Sequence, residues 1–166
     1  MTLALAAPSL YPQPTMPNLL PQVHPSGLTT DQIDQLLALA AAVAHKSYSP
    51  YSRFRVGAAL LLEDGTYITG CNVENASYRL TTCAEQSAIA AAVSTHGPAI
   101  RIRAVAVANL NGSPCMPCGA CRQTIMEFAD PATYVFYPGP DGQPAEATIA
   151  ALLPAAFQLE HLAPQK

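Results

Sequence analysis

Residues 56–72 read VGAALLLEDGTYITGCN, and this stretch decides the fold class. Val56–Leu62 is an uninterrupted apolar run of strand length, which is typical of a strand that is buried on both faces. Asp64 and Gly65 then predict a turn, and residues 67–72 predict a second strand that returns alongside the first. The sequence therefore predicts a β-hairpin whose first strand lies inside the protein.

Segments with helical and strand patterns alternate on both sides of this hairpin. Thr30, followed by Asp31, predicts the N-cap of a helix in which apolar residues recur at helical spacing up to Lys46. After the hairpin the sequence predicts a helix over 82–95, a strand over 102–108, a helix over 122–128, a strand over 134–137 and a short helix over 148–153. A hairpin followed by strands that helices separate predicts an α/β fold, with a mixed sheet and helices on both faces.

The amino-terminal part of the chain has a different composition. Residues 1–28 contain six of the sixteen prolines and no strong apolar period, so we expect a Pro-rich, extended or disordered tail outside the core. Residues 29–166 predict a single folded domain, because a chain of 166 residues ordinarily forms one domain.

Charge and hydropathy exclude two classes of partner. Eight Lys and Arg against eleven Asp and Glu give a net charge of -3, so the chain has no large basic field for nucleic acid. No apolar run approaches the roughly 20 residues that a membrane span requires. We expect no export signal, because no Lys or Arg precedes Lys46. Only 11% of the residues are charged, against roughly 25% in an average soluble protein, which suggests that part of the surface is hidden in an oligomer.

The cysteines point to chemistry rather than to a disulfide framework. Their number, five, is odd, and three of them fall within seven residues, which favours metal or redox chemistry and a cytoplasmic location.

Two short strings place thiols where helices are predicted to begin, residues 82–85 (TCAE) and residues 117–121 (PCGAC). A helix N-terminus carries about half a positive charge, which lowers the pKa of a thiol and favours the thiolate that a metal needs. Three thiolates leave a fourth tetrahedral position for water, as in a catalytic zinc site. Glu85 lies on the same predicted helical turn as Cys83, so its carboxylate is a candidate general acid and base.

Each feature also has another interpretation. Thr82 and Glu85 fit a capping box, in which Glu85 only caps the helix. Cys118-x-x-Cys121 also fits a redox pair or half of a structural zinc site, and by spacing Cys115-x-x-Cys118 is an equally good pair. The combination of a first ligand, then x-Glu, with a later Pro-Cys-x-x-Cys matches the signature of zinc-dependent deaminases.

Residues 30–157 resemble the cytidine deaminases of the small homotetrameric type. The resemblance is carried by residues 52–59 (SRFRVGAA), 70–76 (GCNVENA), 82–85 (TCAE) and 117–123 (PCGACRQ). It implies a three-layer α/β/α, cytidine deaminase-like fold with a mixed sheet of roughly five strands. It also implies hydrolytic deamination of free cytidine or deoxycytidine to uridine or deoxyuridine plus ammonia, in pyrimidine salvage.

The same resemblance implies the metal centre. One zinc ion per subunit is held by Cys83, Cys118 and Cys121, and Glu85 moves protons between the attacking water, ring N3 and the departing amine. Cys115 and Cys71 become bystanders.

The resemblance also implies the substrate contacts. Within one subunit, Asn72 and Glu74 bind the ribose hydroxyls, Phe54 covers the pyrimidine face, and the Ala84 backbone N–H binds the base carbonyl. Across a subunit boundary of the homotetramer, the substrate is contacted by Ala76, Tyr78 and Phe157.

Two positions depart from the family pattern. Gln86 stands where many relatives have an arginine; it offers hydrogen bonds to a ligand sulfur but brings no positive charge. Arg55 stands where proline is common, which suggests an altered entrance or an ion pair between subunits. Near the C-terminus, Gln158 replaces the glycine expected after Phe157.

Two alternatives stay open from the sequence. A blasticidin-type or other nucleoside-analogue deaminase shares both cysteine strings and would keep the metal and the mechanism. A noncatalytic zinc-binding or redox module would use Cys115, Cys118 and Cys121 and would leave Glu85 without a role.

Overall fold

The computed structural model describes residues 23–158, and the helices and strands of this part follow the predicted order. In chain order they are α1 (Thr30–Ala44), β1 (Val56–Leu62), β2 (Tyr67–Cys71), a 3₁₀ turn (Tyr78–Leu80), α2 (Ala84–His96), β3 (Ile102–Asn109), α3 (Gly119–Phe128), β4 (Ala129–Pro138), β5 (Pro144–Thr148) and α4 (Ile149–Leu152). All the predicted elements are present, and β5 is an additional strand.

The strands form one mixed sheet in the order β2-β1-β3-β4-β5. β1 is antiparallel to both β2 and β3, and β3 is parallel to β4. Consequently β2, β3 and β4 run in the same direction. The start of β1 meets the ends of its neighbours, because Val56 pairs with Asn109 and Gly57 pairs with Cys71. The loops 45–55, 72–83 and 110–118 therefore lie at one end of the sheet, which we call the loop end.

Helices cover both faces of the sheet, so the predicted three layers are confirmed. On one face α1 packs Leu36 and Ala40 against Leu61 of β1 and its neighbours. On the other face α2, α3 and α4 bury a larger apolar cluster. All seven residues of β1 are buried, as the unbroken apolar run predicts for a strand covered on both sides.

The helix caps differ from the predicted ones. Thr29, not Thr30, caps α1: its Oγ1 accepts from the Gln32 N–H at 3.2 Å, and Gln32 Oε1 accepts from the Thr29 N–H at 3.0 Å. α2 begins at Ala84 with Cys83 as its N-cap, and α3 begins at Gly119 with Cys118 as its N-cap. Both cysteine strings thus stand at helix N-termini.

The segment just before α1 belongs to the fold, contrary to the predicted boundary of the tail at residue 28. Leu28 is fully buried in the cluster beneath α1. His24 Nε2 lies 2.8 Å from Glu146 Oε1 on β5, and Arg103 donates to the Gly27 carbonyl at 2.9 Å. The rest of the predicted tail, residues 1–22, lies outside the described residues, as do residues 159–166. Between residues 23 and 158, no helix is long and apolar enough to cross a membrane.

Gly70 lets α2 lie directly on β2. A Cβ at this position would stand 2.3 Å from Ala88 N and 2.8 Å from Ala84 O, which are backbone atoms that move only with the helix. We expect Gly70→Ala to lower the free energy of unfolding by about 3 kcal/mol, because α2 must shift away from the sheet. Urea unfolding measures this change. Gly119→Ala is the matched control: a Cβ there meets nothing within 4 Å, so equal destabilisation by both variants would contradict the close-approach argument.

Candidate active site

Three cysteines meet at the loop end of the sheet. The Sγ atoms of Cys83, Cys118 and Cys121 lie within 4.8 Å of one another. Three sulfurs bound to one zinc ion at ~2.3 Å would lie ~3.8 Å apart, so the observed cluster needs little rearrangement to hold the ion. A set of three soft thiolates fits zinc. The structure thus brings together the three predicted ligands, and Cys115 is not part of the group.

The N-termini of two helices supply these sulfurs. Cys83 and Cys118 are the N-cap residues of α2 and α3, and Cys121 lies buried in the first turn of α3. Both helices point their positive ends at the cluster, which stabilises the thiolate forms.

A hydrogen bond between Cys83 and Cys121 moves the pKa values of these two thiols in opposite directions. A hydrogen bond from the Cys121 thiol lowers the pKa of Cys83 to about 7, against the opposing effects of burial and of the Glu85 charge. The same hydrogen bond, together with burial, raises the pKa of Cys121. The Cys83 thiolate therefore shares the proton of Cys121, and a bound metal would take the place of that proton. Burial raises the pKa of Cys115 to about 12, which keeps this neighbouring thiol neutral.

Glu85 stands on the first turn of α2, beside the sulfurs. It is only 4% exposed, and burial raises the pKa of its carboxyl. The interpretation of Glu85 as a capping residue is wrong, because the capping box of α2 pairs Cys83 with Gln86. A buried carboxyl of raised pKa that serves no cap is suited to proton transfer.

Gln86 contacts the backbone of a candidate ligand rather than a sulfur. Its Oε1 accepts from the Cys83 N–H at 3.4 Å. Among the hydrogen bonds of residues 23–158, none runs from the Gln86 amide nitrogen to a ligand sulfur. The amide therefore fixes the entry of the chain into α2.

Asn72 is buried immediately after β2, and its contacts within the protein use most of its hydrogen-bonding capacity. Its Oδ1 accepts from Ser47 Oγ and from the Val56 N–H, and its Nδ2 donates to the Phe54 carbonyl at 2.8 Å. One N–H of the amide remains available. The side chain thus holds the segment that leads from Phe54 into β1.

Glu74 holds the adjacent turn. Its carboxylate accepts from the Tyr51 N–H at 2.9 Å, the Ser52 N–H at 3.3 Å and the Ser52 hydroxyl. The hydrogen bond from the Ser52 hydroxyl is the main reason that the pKa of Glu74 is lowered, so this carboxylate is ionised at neutral pH. Three of the roughly four lone-pair sites of the carboxylate are used in this way, and one can still accept from a ligand hydroxyl.

Phe54 and Ala84 are the other two residues predicted to contact the substrate within one subunit. Phe54 is half-buried and packs against the core on the α2 side of the sheet. Ala84 is the first residue of α2, so its N–H has no partner within the helix and is free to bind an acceptor.

The residues predicted to act across a subunit boundary lie on the surface of this chain. Tyr78 is 66% exposed and Phe157 is 71% exposed, and Ala76 is also exposed. All three side chains are therefore accessible to another molecule.

One positioning residue escaped the sequence analysis. Asn111 donates to the Arg53 carbonyl at 2.9 Å and accepts from the Arg55 N–H at 3.0 Å. It thereby holds Arg53 in the left-handed region, at φ 57°, on one side of Phe54. Asn111-Gly112 is a dipeptide typical of turns, and no local pattern connects it with a loop so distant in sequence. Arg55 itself is exposed and forms no ion pair with another described residue.

Comparisons with protein families, with individual proteins and with solved structures all find cytidine deaminases. A family model described as "Cytidine and deoxycytidylate deaminase zinc-binding region" matches residues 30–137. A cytidine deaminase of Sporosarcina psychrophila is 45% identical over 130 residues, which cover 78% of this chain and 94% of that protein. The crystal structure of cytidine deaminase from Mycobacterium tuberculosis has a TM-score of 0.67 and 43% identity, covering 76% of this chain and 98% of that one. A cytidine deaminase structure from Burkholderia pseudomallei has the same TM-score and 41% identity, covering 75% and 98%.

Proposed function

This chain belongs to the cytidine and deoxycytidylate deaminase family, and from that membership we propose that it converts free cytidine and deoxycytidine to uridine and deoxyuridine with release of ammonia. One observation carries the proposal. The sulfurs of Cys83, Cys118 and Cys121 converge beside a buried carboxyl, that of Glu85, which no cap or ion pair among the described residues uses. Three ligands and a proton carrier are what a hydrolytic zinc site requires.

Zinc would be held by the three thiolates, one ion per subunit. When bound, it supplies a Lewis acid that makes water available as hydroxide near neutral pH. The helix N-termini favour the thiolate forms that such an ion needs, and the hydrogen bond from the Cys121 thiol lowers the pKa of Cys83 to about 7.

Glu85 would carry protons in both halves of the reaction. Its raised pKa allows the carboxyl to take one proton from the attacking water and give it to ring N3, and then to take the remaining proton from the hydroxyl added at C4 and give it to the departing amine. Because the side chain is buried at the start of α2, bulk water has little access to the carboxyl and rarely exchanges protons with it.

The loop end would bind the nucleoside. The free N–H of Ala84 suits the base carbonyl, and Phe54 suits the pyrimidine face. Asn72 has one N–H left to donate to a ribose hydroxyl, and Glu74 has about one lone pair left to accept from one. A site that pairs a sugar hydroxyl discriminates strongly against analogues that lack it. This polar pair favours a nucleoside over free cytosine.

We further propose a homotetramer in which Ala76, Tyr78 and Phe157 complete a neighbour's site. The exposure of the two aromatic side chains and the low charge content of the chain support this arrangement. Light scattering of the purified protein should give four times the 17.4 kDa chain mass.

We place the enzyme in pyrimidine salvage in the cytoplasm. All five cysteines are free thiols, which suits a reducing compartment, and the expected substrates are free nucleosides.

A substrate panel tests the proposal. The purified zinc-loaded protein is assayed by ultraviolet absorbance and ammonia release with cytidine, deoxycytidine, cytosine, adenosine and blasticidin S. Turnover of the first two alone is expected. Turnover of blasticidin S alone would assign the chain to the nucleoside-analogue deaminases, and bound zinc without any turnover would indicate a noncatalytic module.

Gln86→Arg tests the electrostatic consequence of the missing arginine. A guanidinium beside three thiolates offsets their negative charge and favours deprotonation of the attacking water. We expect the acidic limb of the pH–rate profile to move to lower pH by about one pH unit. Gln86→Met is the control, because it also removes the bond to the Cys83 N–H but adds no charge. An acidic limb that is the same in both variants and in the wild type would contradict this account.

A further inference from the structure

Arg122 joins three segments of the chain. It follows the candidate ligand Cys121 on α3, and its Nε donates to the Pro117 carbonyl at 2.7 Å. Its two terminal nitrogens reach the Leu152 carbonyl at 2.8 Å and Met116 Sδ at 3.0 Å. This guanidinium is half-buried and has no carboxylate partner within residues 23–158.

The first of these contacts bears directly on the metal centre. Pro117 immediately precedes Cys118, so the peptide that Arg122 holds is the one that delivers this sulfur. Hydrogen bonds from a charged donor are stronger than neutral ones, and an arginine fork fixes direction as well as distance. Arg122 therefore restrains the approach of Cys118 to Cys83 and Cys121 without touching any sulfur that binds the metal.

The next residue on α3 makes a parallel contact. Gln123 Nε2 donates to the Phe157 carbonyl at 2.7 Å. Together, Arg122 and Gln123 hold the segment 152–158 at both ends. α4 ends at Leu152, and residues 153–158 form no helix or strand. Leu153 and Ala156 pack this segment against the core, and the bond from Gln123 is made to the backbone of Phe157 itself.

We propose that Arg122 and Gln123 form a clamp on α3, with Arg122 positioning Cys118 for the metal and Gln123 positioning Phe157 for the substrate. The part that concerns Phe157 rests on the proposed function, in which this side chain covers a nucleoside. The clamp makes α3 a common support for the metal centre of its own subunit and for the side chain that covers a neighbour's site.

Zinc release tests the first half of the clamp without reference to activity. Zinc-loaded protein is mixed with a chromophoric chelator, and the release rate is recorded. We expect release about 10-fold faster for Arg122→Lys, which keeps the charge but loses the fork, and up to ~100-fold faster for Arg122→Ala. Arg101→Lys is the matched control, since the Arg101 side chain, among the described residues, donates only to the Ile100 carbonyl, at the opposite end of β3. Release at the wild-type rate from Arg122→Lys would overturn the assignment to Cys118.

A single tryptophan tests the second half. The chain contains no Trp, so Phe157→Trp gives one fluorescent reporter in the clamped segment. In this background Gln123→Glu replaces the donor with a carboxylate that cannot bond the Phe157 carbonyl. We expect the amplitude of the fast, local component of the anisotropy decay to at least double. Gln143→Glu makes the same chemical change on an exposed turn and should leave the decay unchanged. An unchanged decay in Gln123→Glu would overturn the assignment to Phe157.

Kinetics connect the second half to substrate. In the chain with native Phe157, Gln123→Glu should raise the KM for cytidine roughly tenfold, the effect expected from one lost hydrogen bond, with kcat within about a factor of two. A fall in kcat at constant KM would contradict a positioning role over the substrate. If the wild-type chain proved inactive on every nucleoside, the proposed function would fail, while zinc release and anisotropy would still decide the clamp.

Discussion

Glu85→Gln is expected to lower kcat for cytidine by about 10⁴-fold while the protein retains its zinc. General acid–base catalysis contributes ~10² to 10⁴ in rate, and the upper limit applies because Glu85 serves both the activation of water and the departure of ammonia. Glutamine keeps the shape of the side chain but cannot exchange a proton. Steady-state rates together with the zinc content, measured on the same sample, test this expectation.

The thermal stability of Glu85→Gln shows whether a loss of activity comes from unfolding. Burial raises the pKa of Glu85 above its value in an unfolded chain, so in the zinc-free protein the ionised side chain costs stability as the pH rises through the folded-state pKa. Glutamine removes that cost. The Tm of zinc-free Glu85→Gln at neutral pH should therefore be no lower than that of the zinc-free wild type. Full activity in a folded, zinc-loaded variant would show that another group carries the protons.

Cys121→Ala is expected to abolish zinc retention and with it all measurable deamination, whereas Cys115→Ala should keep one zinc ion per chain. By spacing, Cys118 pairs equally well with either residue, but only Cys121 joins the group of sulfurs within 4.8 Å. Cys115 is held neutral by burial and packs against the core. Dialysis followed by metal analysis measures the difference.

This pair of variants decides between a catalytic and a structural centre. Both remove one partly or fully buried sulfur and leave a small cavity, so a loss caused only by packing would appear in both. Zinc loss from a folded Cys115→Ala variant would bring Cys115 into the ligand set and would favour the noncatalytic module of Cys115, Cys118 and Cys121.

The parts of the fold with strong apolar periodicity could be predicted from the sequence. α1, β1 and the hairpin stand where they were expected, because burial on one or both faces imposes a pattern on the residues. β5 has no such pattern: it starts at Pro144 and alternates only weakly, since it is an edge strand held by backbone pairing to β4. The burial of Leu28 could not be predicted, because the residue ends a Pro-rich segment and is buried only by packing beneath α1.

The residues that carry the chemistry of the site could be predicted from the sequence, whereas the residues that hold them in place could not. Thiols and a carboxyl at helix N-termini form a local motif, and the structure brings Cys83, Cys118 and Cys121 together. The roles of Ser52, Asn111 and Arg122 depend on contacts between segments distant in sequence, and no spacing rule reaches them. Asn72 and Glu74 were assigned to a ligand alone, whereas both also hold the loop before β1.

The order of the strands has a consequence for biosynthesis. Cys83 precedes β3 and Cys118 follows it, and β3 lies at the centre of the sheet between β1 and β4. A nascent chain on the ribosome therefore holds only one of the three sulfurs until β3 and the loop after it have emerged. A metal ion that needs all three sulfurs could bind only after that point, and it would fasten together the earlier and later halves of the polypeptide.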